Sequence, residues 1–179
     1  MKKIVFVFGS IAGLIFIVWM VFIYTACYNR PETEANMWLG YGSMIVAFSF
    51  VFVGIKSFRD KYHGGHISFW KAFQVGLYIT LIASSIYVLA WLVDYYVFMP
   101  DFMDKYVAHT LAQAKNHGAS LAELNKQKAS MANYAQMYKS PFGVIVLTYL
   151  EVLPVGLVIT LIAALILKRA KTKQEPIIA

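Results

Sequence analysis

Charged residues and cysteine are both scarce in this chain of 179 residues. Asp, Glu, Lys and Arg together make up 14% of the sequence, hydrophobic residues make up 60%, and there is one cysteine. This apolar share is well above the 45–50% or so of an average soluble domain, so a water-soluble fold could not cover it. A single cysteine excludes an internal disulfide bond and a zinc site built from several cysteines.

Signatures of catalysis are missing as well. The sequence has no glycine-rich phosphate loop, no G-x-S-x-G element and no H-E-x-x-H helix, and Cys27 has no obvious base beside it. His63 and His66 share a loop with Asp60, but a zinc site needs three or four ligands in a set geometry, and a solvated loop is the simpler interpretation. We therefore expect a noncatalytic protein with no cofactor and no bound metal.

Positive charge exceeds negative charge, with 16 Lys and Arg against 9 Asp and Glu. These basic residues cluster beside apolar runs, which is typical of membrane-flanking anchors rather than of a nucleic-acid surface. We expect the lipid bilayer to be the main partner and expect no nucleic acid.

Four apolar runs are long enough to cross a bilayer, because a hydrocarbon core of about 30 Å takes about 20 helical residues. They cover residues 4–24, 37–55, 70–98 and 142–167. The third would exceed about 40 Å as a helix, so it must tilt or protrude. The predicted fold is therefore an all-α membrane protein, with one membrane domain over residues 1–179 and four transmembrane helices in a bundle.

The basic residues also predict the orientation, because cytoplasmic loops carry an excess of Lys and Arg. In a four-span arrangement, all three basic clusters fall on one side. We therefore expect a multi-pass protein of the bacterial cytoplasmic (inner) membrane, with both termini in the cytoplasm. The clusters are Lys2 and Lys3; Lys56, Arg59, Lys61 and Lys71; and Lys168, Arg169, Lys171 and Lys173.

The end of the first run leaves one alternative open. Tyr24-Thr25-Ala26-Cys27 is a poor relative of a lipoprotein cleavage box, and cleavage there would leave three helices. The run is longer than the apolar core of a secretory signal, which is about 7 to 15 residues, and has no A-x-A site. A first transmembrane helix is the favoured interpretation.

The long segment between the third and fourth runs is patterned as two helices. Pro100-Asp101 can start a helix that ends near Gly118, with a stripe at Met103, Val107, Leu111 and Ala114. Ser120 and Glu123 then match a capping box. We predict an amphipathic helical hairpin over about residues 100–139, outside the cytoplasm, whose apolar face rests on the bilayer or on the other helices. The stripe of its second helix is Leu121, Leu124, Met131, Ala135 and Tyr138.

Five segments of the sequence form a recognisable combination: Gly40-Tyr41-Gly42-Ser43-Met44, Phe48-Ser49-Phe50, Gly54 to Lys61, Gly64 to Phe73, and Glu151-Val152-Leu153-Pro154-Val155-Gly156. Together they resemble an uncharacterised family of small four-span bacterial inner-membrane proteins, a domain of unknown function. The resemblance covers essentially the whole chain, and it implies an inner-membrane location but no activity and no site. One departure is Trp70, where the family more often has Gly.

Glu151 is the most informative polar residue, because a carboxylate deep in a span costs about 2.5 to 3.5 kcal/mol on insertion scales. Depth counting places it level with Tyr87, Ser84 and Ser43, so we expect it to face these residues inside the bundle. It would be either a proton- or cation-handling group in a transport path or a protonated acid that bonds neighbouring helices.

Two backbone features accompany these polar residues. Pro154 is predicted to kink the last span, because proline has no N–H to donate to the preceding turn. Gly9 and Gly13 form a G-x-x-x-G element in the first span, which permits close packing either within the chain or between subunits.

Two classes of function follow from these residues. The first is a noncatalytic membrane protein that packs with itself, as a homo-oligomer, or with a membrane-protein partner. The second is a small transporter or channel subunit with Glu151 near the path. Four helices are few for a stand-alone transporter and no inverted repeat is visible, so the first class leads.

Overall fold

The computed structural model describes residues 1–23 and 37–169, and these residues form six α-helices. The Tyr24–Cys27 cleavage box lies outside the described residues. A π-helical turn, Asp94–Phe98, follows the third helix directly, so the long third run is two helical pieces. The helices are α1 (Lys2–Ile23), α2 (Met37–Tyr62), α3 (Phe69–Val93), α4 (Phe102–Asn116), α5 (Leu121–Tyr138) and α6 (Pro141–Leu167).

Four helical segments are long and apolar enough to cross a membrane: Lys2–Phe22, Gly40–Tyr62, Phe69–Phe98 and Pro141–Leu167. For the described residues, this confirms the predicted all-helical fold with four candidate membrane spans.

The helix α2 extends beyond the apolar run 37–55 that the sequence marks. Lys56, Arg59 and Lys61 belong to α2 rather than to a loop. Lys and Arg are good helix formers, and their aliphatic stems can lie along apolar surface while the charge reaches water, so the helix does not stop where the apolar run stops. It stops at Gly64 and Gly65, whose φ angles of 56° and 83° favour glycine.

Contacts divide the chain into two compact units, Met1–Tyr87 with Glu151–Ala179, and Val88–Leu150. The single membrane domain expected from the sequence stays a prediction. The first unit has a core to which α1, α2, α3 and α6 all contribute. Its fully buried large residues are Phe16, Phe48, Val51, Ile55, Val75, Ile79 and Val152.

The G-x-x-x-G element of α1 is used within the chain. A Cβ atom built on Gly9 would lie 2.8 Å from Ile82 Cβ, and one on Gly13 would lie 2.7 Å from Ile86 Cδ1. Both isoleucines belong to α3, so the two glycines let α1 and α3 approach closely. This answers the question that the sequence left open, in favour of packing inside one chain.

The second unit has a smaller core of its own, formed by Tyr95, Met103 and Val144. The predicted stop of α4 is confirmed, since the helix ends at Asn116 and Gly118 has a φ of 81°. Leu121, the first residue of the stripe predicted for α5, is 81% exposed. Contact of this stripe with the bilayer stays a prediction.

The capping box at the start of α5 is present in full. Glu123 N–H donates to Ser120 Oγ over 3.3 Å, and Ser120 N–H donates to Glu123 Oε2 over 2.7 Å. These two bonds satisfy donors that have no partner in the first helical turn. They explain why α5 begins where it does, although its exposed surface is large.

Removal of this cap is expected to loosen α5 locally. Ser120→Ala should lower the stability of its first turns by about 0.5 to 2 kcal/mol, because an N-terminal donor loses its acceptor. Hydrogen exchange of the amides that follow Leu121 measures the effect. The matched control is Ser130→Ala, an exposed serine in the middle of the same helix. Random-coil exchange in the unmodified protein would show that the cap does not hold the helix.

Acidification should have the same effect as the substitution. Hydrogen bonds from the Ser120 backbone and side chain lower the pKa of Glu123 below its ordinary 4.5. A lowered pKa contributes stability that is present above the ordinary value and is lost as the pH falls through the lowered one. Protection of these amides should therefore fall in acid below about pH 4.5, and should fall less in the Ser120→Ala protein.

Candidate functional site

Glu151 lies on the exposed surface of α6, not inside the core. It is ten residues after Pro141, about 15 Å along the helix and near the middle of a span. Its carboxylate makes no hydrogen bond or ion pair with any residue in the described part of the chain. The interior position that the sequence suggested for Glu151 is therefore not observed.

The three residues expected around Glu151 do not bond it. Ser43 Oγ donates to the carbonyl oxygen of Gly40 in its own helix, over 2.6 Å. The Tyr87 ring packs against Phe16 of α1, with the ring centroids 4.9 Å apart. Ser84 is fully buried, and its hydroxyl has no hydrogen-bond partner among the described residues. Depth counting placed these residues at comparable levels, but it could not tell which way each side chain points.

The rotation of α6 is determined by Gly156. A Cβ atom on Gly156 would lie 2.5 Å from Thr80 Cγ2 and 2.8 Å from the Phe48 ring, so this residue must face α3 and α2. Glu151 is five residues earlier, which is about 140° around the helix at 3.6 residues per turn. It therefore points away from α3. Val152, its neighbour in sequence, is the residue that is fully buried.

A different polar contact occupies the interior. Thr80 Oγ1 of α3 and Thr160 Oγ1 of α6 lie 2.8 Å apart and are both fully buried. Thr80 Oγ1 also lies 3.5 Å from the carbonyl oxygen of Gly156. A Cβ atom on Gly76 would lie 2.7 Å from Thr160 Cγ2, so each glycine faces the threonine of the other helix.

Sequence reasoning missed this Thr80–Thr160 contact, although a signal was present. Both helices carry a small-x-x-x-small element, Gly76-x-x-x-Thr80 in α3 and Gly156-x-x-x-Thr160 in α6. Small residues at this spacing let helix backbones approach in lipid, where threonine can then bond across the interface. The contact binds two helices, and we assign it a structural role.

Glu151 and five apolar residues lie together on one surface of α6. These residues, here called the Glu151 face, recur at spacings of three and four and are all exposed. They are Glu151, Pro154, Val158, Leu161, Ile162 and Leu165. The helix α6 is continuous through Pro154, and the kink expected there stays a prediction.

A second feature of the first unit is a pocket of about 710 Å³ where α3 begins and α6 ends. His63 and His66 lie here, together with cationic residues that the sequence had suggested only as membrane anchors. Two backbone hydrogen bonds between Ile67 and Arg169, of 2.9 and 3.1 Å, join the two segments. The lining residues, here called the basic pocket, are His63, His66, Ile67, Ser68, Phe69, Lys71, Lys168 and Arg169.

Comparison with known proteins supports the resemblance found in the sequence. Residues 7–169 match the family described as "Protein of unknown function (DUF4199)". Neither the curated proteins nor the solved structures contain a match. The matched residues include nearly all of the four candidate membrane helices.

Proposed function

Since the chain belongs to the DUF4199 family, whose description assigns no activity, we propose a function from its own residues: a noncatalytic integral membrane protein that pairs with a second copy of itself in the bilayer. One observation carries the proposal. Glu151 lies exposed on α6, at mid-span depth, with no partner in the part of the chain that the structure describes.

The energetic argument starts from the lipid environment. A carboxyl group that faces acyl chains has nothing to bond with, and intramembrane acids almost always face protein or water instead. Glu151 is surrounded on its own face by Val158, Leu161, Ile162 and Leu165, which suit a lipid or helix contact. A second helix laid on this face would cover the apolar side chains and supply a polar partner at the same time.

A second copy of the chain meets both requirements. Two copies inserted in the same direction are related by a two-fold axis along the membrane normal, which brings identical residues together at identical depth. Glu151 would then meet Glu151. A protonated carboxyl group donates one hydrogen bond and accepts others, so two such groups can satisfy each other with no cation. A membrane-protein partner with a polar residue at this depth is the competing occupant.

Oligomeric state in lipid nanodiscs tests this proposal. The purified protein should be dimeric at low protein-to-lipid ratios, and the dimer should depend on Glu151. If the protein is monomeric under all these conditions and a different membrane protein copurifies with it from native membranes, then the partner is that protein and not a second copy.

The alternative role, a small transporter or channel subunit with Glu151 in its path, has less support. A transport path within one chain needs the carboxylate to line an interior cavity. The exposed position of Glu151 favours a contact surface instead. Proton or cation flux into liposomes, compared between the unmodified protein and Glu151→Gln, separates the two roles. We expect equal background flux from both.

We also propose the orientation that the basic clusters favour, with both termini in the cytoplasm of a bacterium and with α4 and α5 outside as an amphipathic hairpin. Reporter fusions after Ala35, Gly65, Gly118 and Lys171 should read outside, inside, outside and inside. A fusion after Gly65 that reports the outer face would reverse the arrangement. Apart from the chain neighbours, no side chain or backbone atom of the described residues lies within 4 Å of a Cβ atom built on Gly64 or Gly65, so a fusion at this turn should be tolerated.

A further inference from the structure

The basic pocket is held in shape by backbone contacts at one end of the first unit. The two hydrogen bonds between Ile67 and Arg169 attach the segment before α3 to the end of α6. The turn at Gly64 and Gly65 is closed by a bond from Gly65 N–H to the Arg59 carbonyl oxygen, over 3.2 Å. The pocket of about 710 Å³ thus lies between segments that the main chain itself fixes.

Among the described residues, its lining has basic side chains and no carboxylate. Lys71, Lys168 and Arg169 are the three basic residues, and His63 and His66 stand beside them. The nearby acid, Asp60, is paired with Arg59 over 2.7 Å and does not line the pocket. Lys71 Nζ donates to Gln74 Oε1 over 3.1 Å, which uses one of its three donors and leaves two.

The start of α3 adds donors of its own. Ser68 precedes the helix, and its Oγ accepts a hydrogen bond from Lys71 N–H over 3.4 Å, whereas the amides of Phe69 and Trp70 make no hydrogen bond within the described part of the chain. The amides of the first helical turn have no partner within a helix, and the helix dipole makes this end positive. Backbone donors and lysine and arginine side chains therefore meet at the same pocket, an arrangement suited to a phosphate group.

The depth of the basic pocket indicates where such a phosphate comes from. The candidate spans begin at Phe69 and end at Leu167, so the pocket lies at the boundary between apolar helix and polar loop. Phosphates of phospholipids lie at this level, and basic pockets between membrane helices bind anionic headgroups. The partly exposed apolar side chain of Phe69 in the lining suits the glycerol and upper acyl chain.

We propose that the basic pocket binds the phosphate group of an acidic phospholipid headgroup. This site is separate from the Glu151 face and does not depend on the pairing of two copies. The bound lipid would bridge α3 and α6 at their ends, in addition to the Ile67–Arg169 backbone bonds.

The test titrates a fluorescent phosphatidylglycerol into the purified full-length protein in a nonionic detergent. Unlabelled phosphatidylglycerol, phosphatidylcholine and inorganic phosphate serve as competitors. Phosphatidylglycerol should compete at least about tenfold better than phosphatidylcholine, because only the acidic lipid has net charge to offer the lysines. The double substitution of Lys71→Gln with Lys168→Gln should weaken the binding of phosphatidylglycerol by about thirtyfold at low salt. In high salt, where charges are screened, the loss should be about tenfold or less.

The matched control is Lys2→Gln with Lys3→Gln, which removes the same charge from the start of α1 and leaves the pocket intact. We expect it to change binding less than about threefold. Arg169→Gln is an independent variant with the same expected direction as the pocket double, because the backbone bonds of Arg169 do not involve its side chain. Arg169→Gln therefore still tests the pocket if the double variant fails to fold.

Three results would overturn the proposal. Equal competition by phosphatidylglycerol and phosphatidylcholine would show that the acidic headgroup is not recognised. An equal loss in the pocket and control doubles would show a diffuse attraction to total charge rather than a site. If inorganic phosphate competes at the same concentration as phosphatidylglycerol, the ligand of the pocket is a soluble phosphate compound and not a lipid.

Discussion

Gly156→Leu is expected to abolish the packing of α6 against α3 and α2. Even a single Cβ atom at this position would lie 2.5 Å from Thr80 Cγ2 and 2.8 Å from the Phe48 ring, and leucine adds three further carbon atoms. Overpacking of a core costs about 1 to 3 kcal/mol, and we expect at least the upper value here, because helix backbones must separate. Thermal unfolding in detergent micelles, monitored by a size-exclusion profile, measures the loss.

Gly42→Leu is the matched control for this prediction. Gly42 is also a helical glycine of a candidate span, but no described atom beyond its own helical turn lies within 4 Å of a Cβ atom built there. Its replacement should leave the melting temperature nearly unchanged.

A compensating variant sharpens the test of this contact. In Gly156→Ala, the added Cβ meets the Thr80 methyl group, so Thr80→Ser, which removes that methyl and keeps the hydroxyl, should recover part of the lost stability. Full recovery is not expected, because the Phe48 ring still lies close. Equal stability of the Gly156→Leu and Gly42→Leu proteins would contradict the observed contact between α3 and α6.

Glu151→Leu is expected to weaken self-association while leaving the fold of each copy intact. An exposed intramembrane carboxyl group costs about 2.5 to 3.5 kcal/mol on insertion scales. Leucine at position 151 should therefore make the monomer more stable in the bilayer. The same change removes the polar contact between two copies. Such contacts contribute about 1 to 2 kcal/mol in membranes, so dimer dissociation constants should rise about fivefold to thirtyfold.

Two variants control for this interpretation. Glu151→Gln keeps one donor and one acceptor and should retain most of the dimer. Gln74→Leu removes another polar side chain from a span, but one that already bonds Lys71 in its own helix, so it should not change association. A dimer that withstands Glu151→Leu, with unchanged affinity by fluorescence transfer in nanodiscs, would show that Glu151 is not part of the contact.

The spans and the cap could be predicted from the sequence because both are local patterns. Each apolar run has the length that a bilayer requires, and the Ser120–Glu123 spacing defines its own hydrogen bonds. The end of α2 was harder to predict. The apolar run ends at Ile55, whereas the helix continues to Tyr62, just before the glycines at 64 and 65 allow the chain to turn.

The neighbours of Glu151 could not be predicted, because depth along a span is a one-dimensional quantity and packing depends on rotation. In a helix that is apolar all around, no amphipathic stripe identifies the inward face. The small residues do identify it, since Gly156 and Thr160 in α6 face Thr80 and Gly76 in α3. When Gly156 and Thr160 face the interior, Glu151 lies on the outward side of α6.

Cysteine cross-linking in native membranes tests the pairing of two copies most directly. With the only cysteine of the sequence replaced by Cys27→Ser, single cysteines are introduced at Val158 on the Glu151 face and at Leu14 on α1; both positions are exposed. A two-fold axis along the membrane normal brings Val158 close to its own copy, so mild oxidation should give a covalent dimer with Val158→Cys and little with Leu14→Cys. Strong cross-linking through Leu14→Cys and none through Val158→Cys would contradict the account.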